Sequence, residues 1–513
     1  MSFTVTSWSL QCTVVLLVVL ACSAFVYYYT YVFAYWRKRN VPHVTPAVPL
    51  FGNVFRLTLG LDNLAGSFDR MYKLCTEKKY IGYYQMKTPT LIVCDPEIVQ
   101  TILVKDFSHF TDRWAHIDIE STPFANNLFH MKGSRWKAMR NKISPVFTSR
   151  MLRNMHDQIE DCSGELLRNV QSDLELCSDS IEVRHVMGNY STDVIGTCAF
   201  GLQLNAISDK DSPFRQAGKA IFNPPRPSLL KQTLLTIVPR LNKLLKITPW
   251  PAHLTDFFIN AFKDTMKYRE DNNISRNDLV QCLMQARTDF VINKIDPSVN
   301  FTEVDIIANA FIMFAAGFET VSTTMSYCLY ELALNKTIQD RVRKEMLVAK
   351  TKHNGETNSE LLTDLSYLGM VIAETLRKYP PTLVLMRSCT STYQVPGDNL
   401  IIEKGTRVLI PVYSIQMDLK YFTDPTTFNP ERFAPENKSK LLGGTYIPFG
   451  DGPRHCIGKR FAEMEMKLAL TELLSKYEVE PCEKTQIPIV FAKRTPMAIP
   501  EKGIWLKFKA IDC

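Results

Sequence analysis

The segment FGDGPRHCIG, residues 449–458, places a single thiol, Cys456, among three glycines and one proline. Glycine removes side chains and proline stiffens the backbone, so the loop leaves space beside the sulfur. A disulfide needs a second cysteine and a zinc site needs further ligands, and the segment offers neither. The sequence after it, GKRFAEMEMKLALTELLSKY, predicts a helix that begins at Cys456, whose N–H groups and dipole would stabilise a thiolate.

The glycines of this loop indicate what the free space is for. Gly450 and Gly452 allow the backbone to approach a flat group closely, and Gly458 clears the same space on the helix side. Arg454, two residues before the thiol, is placed to pair with a carboxylate of that group. A thiolate, room for a plane and a cation for its acidic groups together describe a haem held by one axial cysteine.

Long helical patterns dominate the middle of the chain. The longest, residues 302–335, is apolar on nearly all sides, which is typical of a helix buried at the centre of a protein. Thr302 and Asp305 form a capping-box pattern at its start. A second helix, residues 364–379, is stopped by the Pro380-Pro381 pair. Strand-like runs are short: 80–94, 407–412 and a stretch near the C-terminus.

The pattern Phe449-x-x-Gly452-x-Arg454-x-Cys456-x-Gly458 resembles the haem-thiolate loop of the cytochrome P450 family. The resemblance covers essentially the whole chain and is strongest to microsomal members of the insect detoxification type. It implies a mainly α fold with small β-sheets, the cytochrome P450 fold, behind an N-terminal transmembrane anchor. The implied cofactor is haem b, with Cys456 as axial ligand of the iron and with the haem contacted by Phe449, Gly450, Arg454 and Gly458.

The apolar helix carries an acid beside a hydroxyl in the run Ala316-Gly317-Phe318-Glu319-Thr320. A buried carboxylate is costly unless it is satisfied. An ordinary interpretation is that Thr320 bonds back to a helix carbonyl while Glu319 reaches solvent. The resemblance implies instead that Glu319 and Thr320 are catalytic and relay protons to dioxygen.

Glu374 and Arg377 are three residues apart, so both side chains lie on one face of the second helix and are able to pair. The resemblance adds Arg432, from the segment NPERF, as the third member of a structural Glu-Arg-Arg triad. The chain departs from the family nearby, since it reads Gln416-Met417-Asp418-Leu419 where a His-Asp-Pro segment is common. We expect this departure to affect local packing rather than the iron or oxygen chemistry.

Trp136 and Arg140 are four residues apart in SRWKAMR and therefore share a helix face. The resemblance implies that both reach the haem propionates, together with Arg387, Arg454 and Arg113. Four arginines are generous for two carboxylates, so the alternative is that some of them are surface charges.

The N-terminus predicts a membrane anchor. Residues 1–36 carry no charged side chain. The apolar run from Leu10 to Trp36 would be about 40 Å long as a helix, against about 30 Å of bilayer hydrocarbon. Tyrosines and Trp36 cluster at its far end, and a basic Arg-Lys-Arg run, residues 37–39, follows. The positive-inside rule then places the remaining chain in the cytosol. A cleaved signal peptide is the alternative, disfavoured by the uncharged start and the length of the run.

These boundaries divide the chain into three parts: a membrane anchor (1–36), a basic stop with a proline-rich hinge (37–53) and a single haem-thiolate monooxygenase domain (54–513). The resemblance places the anchor in the endoplasmic reticulum membrane.

The composition fits a globular protein in a reducing compartment. The chain has 513 residues, 46% hydrophobic and 22% charged, enough for a sizeable core. Its formal charge of +8 is scattered, so nucleic acid is not an expected partner. An odd number of cysteines, 13, without a Cys-x-x-Cys pair, indicates reduced thiols.

The resemblance implies monooxygenation, in which one atom of dioxygen enters a small lipophilic substrate and the other leaves as water. No G-x-G-x-x-G segment opens a βαβ unit, so NADPH is expected to act indirectly, through NADPH–cytochrome P450 reductase, with cytochrome b5 as an additional donor. Six basic residues are predicted to form a docking face for such an acidic partner: Lys132, Lys137, Arg140, Lys142, Lys459 and Arg460. An ordinary solvated surface is the alternative.

The substrate, a xenobiotic or an endogenous hydrophobic compound, is expected to enter from the membrane side. The expected pocket walls are residues 115–129, 311–315, 382–385 and 494–498. The apolar, proline-punctuated segment 222–250 is interpreted either as a contact with the bilayer or as a lid packed on the core.

Two other functions stay open on the sequence. A reductase-independent haem-thiolate isomerase or dehydratase would act on a peroxide, and the Glu319-Thr320 pair argues against it. A non-catalytic haem-binding membrane protein would bind haem without consuming oxygen.

Overall fold

The computed structural model describes residues 2–75, 77–114, 123–176, 180–209, 211–222, 250–296 and 298–511, with side chains from residue 13 onward. The first part of the predicted pocket wall 115–129, up to residue 122, therefore lies outside the described residues. The same holds for nearly all of segment 222–250.

The described residues are mainly helical, as predicted. The α-helices are α1 (Ser2–Val32), α2 (Tyr35–Lys38), α3 (Phe55–Thr58), α4 (Leu64–Lys73), α5 (Pro96–Gln100), α6 (Gly133–Ile143), α7 (Ser149–Leu176), α8 (Val183–Ile195), α9 (Pro213–Phe222), α10 (Ala252–Asp271), α11 (Leu279–Arg287), α12 (Glu303–Leu334), α13 (Lys336–Lys352), α14 (Ser359–Asp364), α15 (Ser366–Lys378), α16 (Val412–Gln416) and α17 (Lys459–Lys476). The π turn Thr101–Lys105 extends α5, and short 3-10 turns stand in loops, among them Pro123–Ala125, Pro430–Phe433 and Gly452–Arg454.

The strands form small sheets. They are β1 (Tyr80–Gln85), β2 (Thr88–Val93), β3 (Ser180–Glu182), β4 (Leu385–Ser388), β5 (Tyr393–Gln394), β6 (Ile401–Ile402), β7 (Arg407–Ile410), β8 (Tyr477–Pro481) and β9 (Trp505–Ala510). A four-stranded sheet has the order β1-β2-β7-β4, in which β2 and β7 are parallel. A three-stranded sheet has the order β3-β9-β8, and β5 pairs with β6. The predicted strand run 80–94 is thus a hairpin, β1 and β2.

Helix α12 is the centre of the larger core, as its apolar sequence predicted. Its start is fixed by the expected capping box: the Thr302 hydroxyl accepts the N–H of Asp305 at 3.3 Å, and the Asp305 carboxylate accepts the N–H of Thr302 at 2.7 Å. Most of its length is buried, against α8 in particular. A second core forms around the four-stranded sheet.

The prediction that a helix begins at Cys456 is wrong. Helix α17 begins at Lys459, with Gly458 as its N-cap. The Cys456 N–H donates instead to the carbonyl of Phe449 at 2.8 Å, and the His455 N–H donates to Gly452 at 3.0 Å. These bonds close a loop around the cysteine, so the helical hydrogen-bond ladder starts only after it.

The apolar N-terminal helix is exposed, as an anchor would be. Residues Thr13–Val32 have a mean hydropathy of 2.0, and none of them is buried in the fold. Helix α12 is also long and apolar enough to span a bilayer, but it is the core helix. Trp36, on α2 directly after α1, is 2% exposed and donates from Nε1 to the carbonyl of Tyr83, on β1, at 3.1 Å.

Each cysteine with a described side chain is a free thiol.

Candidate active site

The loop around Cys456 depends on two glycines with left-handed backbone. Gly450 has φ +70° and Gly452 has φ +68°. A Cβ at Gly452 would lie 1.8 Å from the carbonyl oxygen of Leu103, so this glycine allows the loop to pack on the neighbouring chain. That function differs from the predicted approach to a flat group. A Cβ at Gly458 would meet only Phe147, at 3.7 Å, so the protein leaves space there.

Cys456 is accessible to solvent, although protein atoms surround most of its sulfur. Desolvation raises the pKa of Cys456, whereas the Gly458 N–H and the charges of Arg140 and Arg113 lower it. Helix α17, whose N–H groups and dipole were expected to stabilise a thiolate, starts only at Lys459, and burial outweighs the contacts that lower this pKa. A cation bound at the sulfur would reverse the balance.

The four predicted arginines surround this loop. Arg113 donates from Nη2 to the carbonyl of Arg454 at 3.1 Å, and Arg140 donates from Nη1 to the carbonyl of His455 at 3.1 Å. Arg454 is 2% exposed and donates to the carbonyl of Phe129 at 3.4 Å. Arg387, on β4, is 1% exposed.

These buried cations repel one another. Burial lowers the pKa of Arg113 to about 10 and that of Arg454 to about 9. Burial, with the charges of Arg113 and Arg454, also holds the pKa of Arg387 well below its usual value. The Nε atoms of Arg387 and Arg454 are buried without a hydrogen-bond partner among the described residues. Such a cluster favours a ligand with more than one negative charge, and the two carboxylates of haem fit it.

Trp136 and His130 complete the cluster. The Arg454 guanidinium carbon lies 4.5 Å from the ring centre of Trp136, so the indole supports this arginine by a cation–π contact. His130 is a residue that the sequence did not indicate. Its Nδ1 is buried without a partner in the described chain, and burial together with the charge of Arg113 lowers the pKa of His130 to about 4.

One face of α12 is partly exposed, whereas most of the rest of the helix is buried. Between residues 305 and 333 the positions that are not buried are Ile312, Ala316, Gly317 and Thr320. Their spacing places them along one side of the helix. The Thr320 hydroxyl lies on this stripe and donates to the carbonyl of Ala316 at 2.8 Å, which is the ordinary back-bond. By contrast, Phe311 faces the core, with its ring 4.3 Å from that of Phe124.

Glu319 does not reach solvent. It is 2% exposed and forms an ion pair with Arg184, at the start of α8. The Thr323 hydroxyl also lies 3.5 Å from the Glu319 carboxylate. The acid is therefore held as a paired carboxylate beside the stripe that carries Thr320.

The residues Glu374, Arg377 and Arg432 meet in the interior. Arg377 donates to both carboxylate oxygens of Glu374, at 2.7 and 2.8 Å, and both side chains are fully buried. Arg432 donates to the same carboxylate at 3.3 Å. Arg377 also donates to the carbonyls of Gln416 and Pro425, so the cluster joins α15 to the segment after α16.

The chain is similar to known proteins along nearly its whole length. The sequence profile of the cytochrome P450 family matches residues 42–508. The chain is 36% identical over 490 residues to probable cytochrome P450 6a14 of Drosophila melanogaster, covering 94% of this chain and 96% of that protein. It is 36% identical over 519 residues to cytochrome P450 6k1 of Blattella germanica, covering 98% of each. It is 34% identical over 498 residues to cytochrome P450 9e2 of the same insect, covering 92% of this chain and 93% of that protein.

Proposed function

This chain belongs to the cytochrome P450 family of haem-thiolate monooxygenases, and we propose that it oxidises small lipophilic compounds, xenobiotic or endogenous, at the endoplasmic reticulum membrane. The convergence of Arg113 and Arg140 on the backbone carbonyls of Arg454 and His455, next to Cys456, carries the proposal. This arrangement offers a sulfur ligand and a cationic border for one flat dianion.

Each part of the site has a separate task. Cys456 would hold the haem iron, and Arg113, Arg140, Arg387 and Arg454, with Trp136, would bind the propionates. When bound, the haem supplies the oxygen chemistry, and the axial thiolate favours O–O cleavage. Phe449, Gly450 and Gly458 would lie beside the haem.

Thr320 and Glu319 supply the protons in this proposal. The Thr320 hydroxyl lies on the open stripe of α12 and holds a proton at Oγ1. Release of that proton toward the stripe requires the hydroxyl to leave the carbonyl of Ala316. Glu319, the next residue, is paired with Arg184, and in this proposal its carboxylate takes up a proton on that side of the helix and passes it on toward Thr320. The Glu374-Arg377-Arg432 cluster keeps the supporting segments in place.

The apolar surroundings favour a lipophilic substrate. Two of the four stripe residues, Ile312 and Ala316, are apolar, and the core side of the same helix packs Phe311 against the rings of Phe124, Phe258 and Trp250. Apolar surroundings of this kind exclude water and bind apolar surface. The exposed helix α1 would hold the domain 54–513 at the cytosolic surface of the bilayer, with residues 37–53 as the connection.

The electron donor we propose is NADPH–cytochrome P450 reductase, with cytochrome b5 as a second donor. Of the six basic residues predicted to dock it, Lys132, Lys137, Lys459 and Arg460 are exposed. Lys142 is engaged by Asp289, and Arg140 by the carbonyl of His455. The exposed four are the better candidates for an acidic partner.

The first experiment compares the wild type with Cys456→Ser in the reduced state under carbon monoxide. We expect a strongly red-shifted Soret band in the wild type and its loss in the variant, with Cys162→Ser, a buried thiol elsewhere, as control. Turnover of a lipophilic probe with reductase and NADPH then tests the reaction. Turnover with a peroxide but none with reductase and NADPH would support an isomerase or dehydratase, and haem without oxygen consumption would support a non-catalytic protein.

A further inference from the structure

Gln416, at the end of α16, forms hydrogen bonds through its side-chain amide to the end of α15 and to Ile447. The residue is fully buried. Its Nε2 donates to the carbonyl of Leu376 at 3.0 Å and to that of Arg377 at 2.9 Å. Its Oε1 accepts the N–H of Ile447 at 3.0 Å. Both donor hydrogens and the acceptor are therefore occupied by backbone groups.

The sequence explains why donors are needed at the end of α15. In a continuing helix, the carbonyls of Leu376 and Arg377 would accept from the N–H groups four residues later. Those positions are Pro380 and Pro381, which have no N–H. The amide of Gln416 replaces both missing donors, and without it two buried carbonyls would lose their partners.

The acceptor side of the amide reaches the loop of the thiol. Ile447 gives its N–H to Gln416, and its carbonyl accepts the N–H of Gly450 at 2.9 Å. Phe449, between them, accepts the N–H of Cys456 at 2.8 Å. A short chain of hydrogen bonds thus connects Gln416 to the backbone of the cysteine.

The backbone of Gln416 is fixed as well. Its carbonyl accepts from Nη1 of Arg377 at 2.9 Å, and Arg377 is held by Glu374. The side chain and main chain of Gln416 are therefore both bound to the same helix end, which leaves the amide little freedom to move with the loop.

We propose that Gln416 is a positioning residue for the thiol: it fixes the loop 447–456 against the end of α15 and so keeps Cys456 in place to ligate the haem iron. This rests on the proposed role of Cys456. Only a primary amide supplies two donors and one acceptor from one planar group. A carboxylate has no donor, leucine has neither, and imidazole offers one of each.

The chain contains a matched control in Gln339. Its Nε2 donates to the carbonyls of Leu332 and Val479 at 3.0 and 2.9 Å, and its Oε1 accepts the N–H of Val479 at 2.9 Å. Gln339 is 1% exposed. It makes the same kinds of bond but joins α12 to β8, away from the loop of Cys456.

The experiment compares Gln416→Leu with Gln339→Leu in the full-length, haem-loaded protein in lipid. Both variants should lower the melting temperature by similar amounts. Each sample is held at the same number of degrees below its own melting temperature. We then measure the lifetime of the red-shifted Soret band of the reduced carbon monoxide complex. We expect it to fall about tenfold in Gln416→Leu, the factor set by about one lost buried hydrogen bond, and to stay within about twofold of the wild type in Gln339→Leu.

A second pair of variants keeps the proposal testable if the leucine variants do not fold. Gln416→His keeps one donor and one acceptor, so its band should have an intermediate lifetime, while Gln339→His should match the wild type. Equal lifetimes in the Gln416 and Gln339 variants of either pair would overturn the positioning role. A wild-type protein without the red-shifted band would overturn the ligand role of Cys456 itself, which is a separate result.

Discussion

Arg184 and Glu319 form an ion pair that joins the first turn of α8 to the middle of α12. The Glu319 side chain is 3% exposed and that of Arg184 is 19% exposed. Glu319, the acid of the Glu319-Thr320 pair, is thus held by Arg184, a cation that no sequence pattern connected with it. This pair places a charged group next to the open stripe of α12 without exposing it to bulk water.

Removal of Arg184 should cost both stability and proton delivery. In Arg184→Gln the carboxylate of Glu319 stays buried without its cation, so we expect the free energy of unfolding to fall by about 3 kcal/mol. Chemical denaturation measures this. Arg341→Gln, which breaks the exposed pair with Glu431, should change it by less than about 1 kcal/mol. Equal losses in both variants would contradict the buried, charged state of Glu319.

The same variant should uncouple oxygen consumption from product. Because Glu319 is then no longer held beside Thr320, the enzyme should release more partly reduced oxygen species for each NADPH oxidised. The ratio of product to NADPH is the measurement. An unchanged ratio in both Arg184→Gln and Glu319→Gln would remove Glu319 from the proton path.

His130 predicts a pH dependence of stability. Its pKa is about 4 in the folded protein, because of burial and the nearby charges of Arg113 and Arg454, against an ordinary value of 6.5. Between these values the unfolded chain binds the proton and the folded chain does not, so stability decreases as the pH falls from 6.5 toward 4. Denaturation at several pH values should show this slope.

His130→Phe is the matching variant, since it keeps an aromatic ring without a titratable nitrogen. We expect a shallower dependence between pH 6.5 and 4 than in the wild type. Identical slopes would mean that His130 titrates normally in the folded protein.

The exposed basic residues near the Cys456 loop should govern the affinity for reductase. Lys137→Glu and Lys459→Glu place a repulsive charge at the proposed contact, so the KM for reductase should rise several-fold at low salt and less at high salt. Lys502→Glu, an exposed lysine elsewhere in the chain, is the charge-matched control. If all three variants behave alike, docking does not use this face. Peroxide-supported turnover should be unchanged in each.

In the proposed arrangement, Gly82 determines the contact at the junction between the anchor and the catalytic domain. A Cβ there would lie 2.5 Å from Cδ2 of Trp36, so Gly82→Ala should displace the indole from β1. We expect faster cleavage by added protease within residues 37–53 on intact microsomes. In Gly369→Ala the new Cβ would meet only the Lys467 side chain, at 3.7 Å, and cleavage should stay at the wild-type rate. Slow cleavage in both variants would show that Trp36 does not hold the junction.

Features that depend on near neighbours in the chain could be predicted from local sequence. The capping box of Thr302 and Asp305, the apolar helix α12, the stop at Pro380 and the exposed N-terminal helix all follow from local periodicity and backbone chemistry, and the structure contains them. The family was likewise evident from the loop around Cys456, because its residue types are closely spaced.

Contacts between groups far apart in the chain became evident from the folded structure. The partner of Glu319 is Arg184, the two missing donors after α15 come from Gln416, and His130 lies among arginines from other segments. The late start of α17 belongs to the same class, since a bond from Cys456 back to Phe449 replaces the first helical turn. Contacts between residues far apart in sequence leave no local pattern, and they depend on packing and desolvation that exist only in the folded chain.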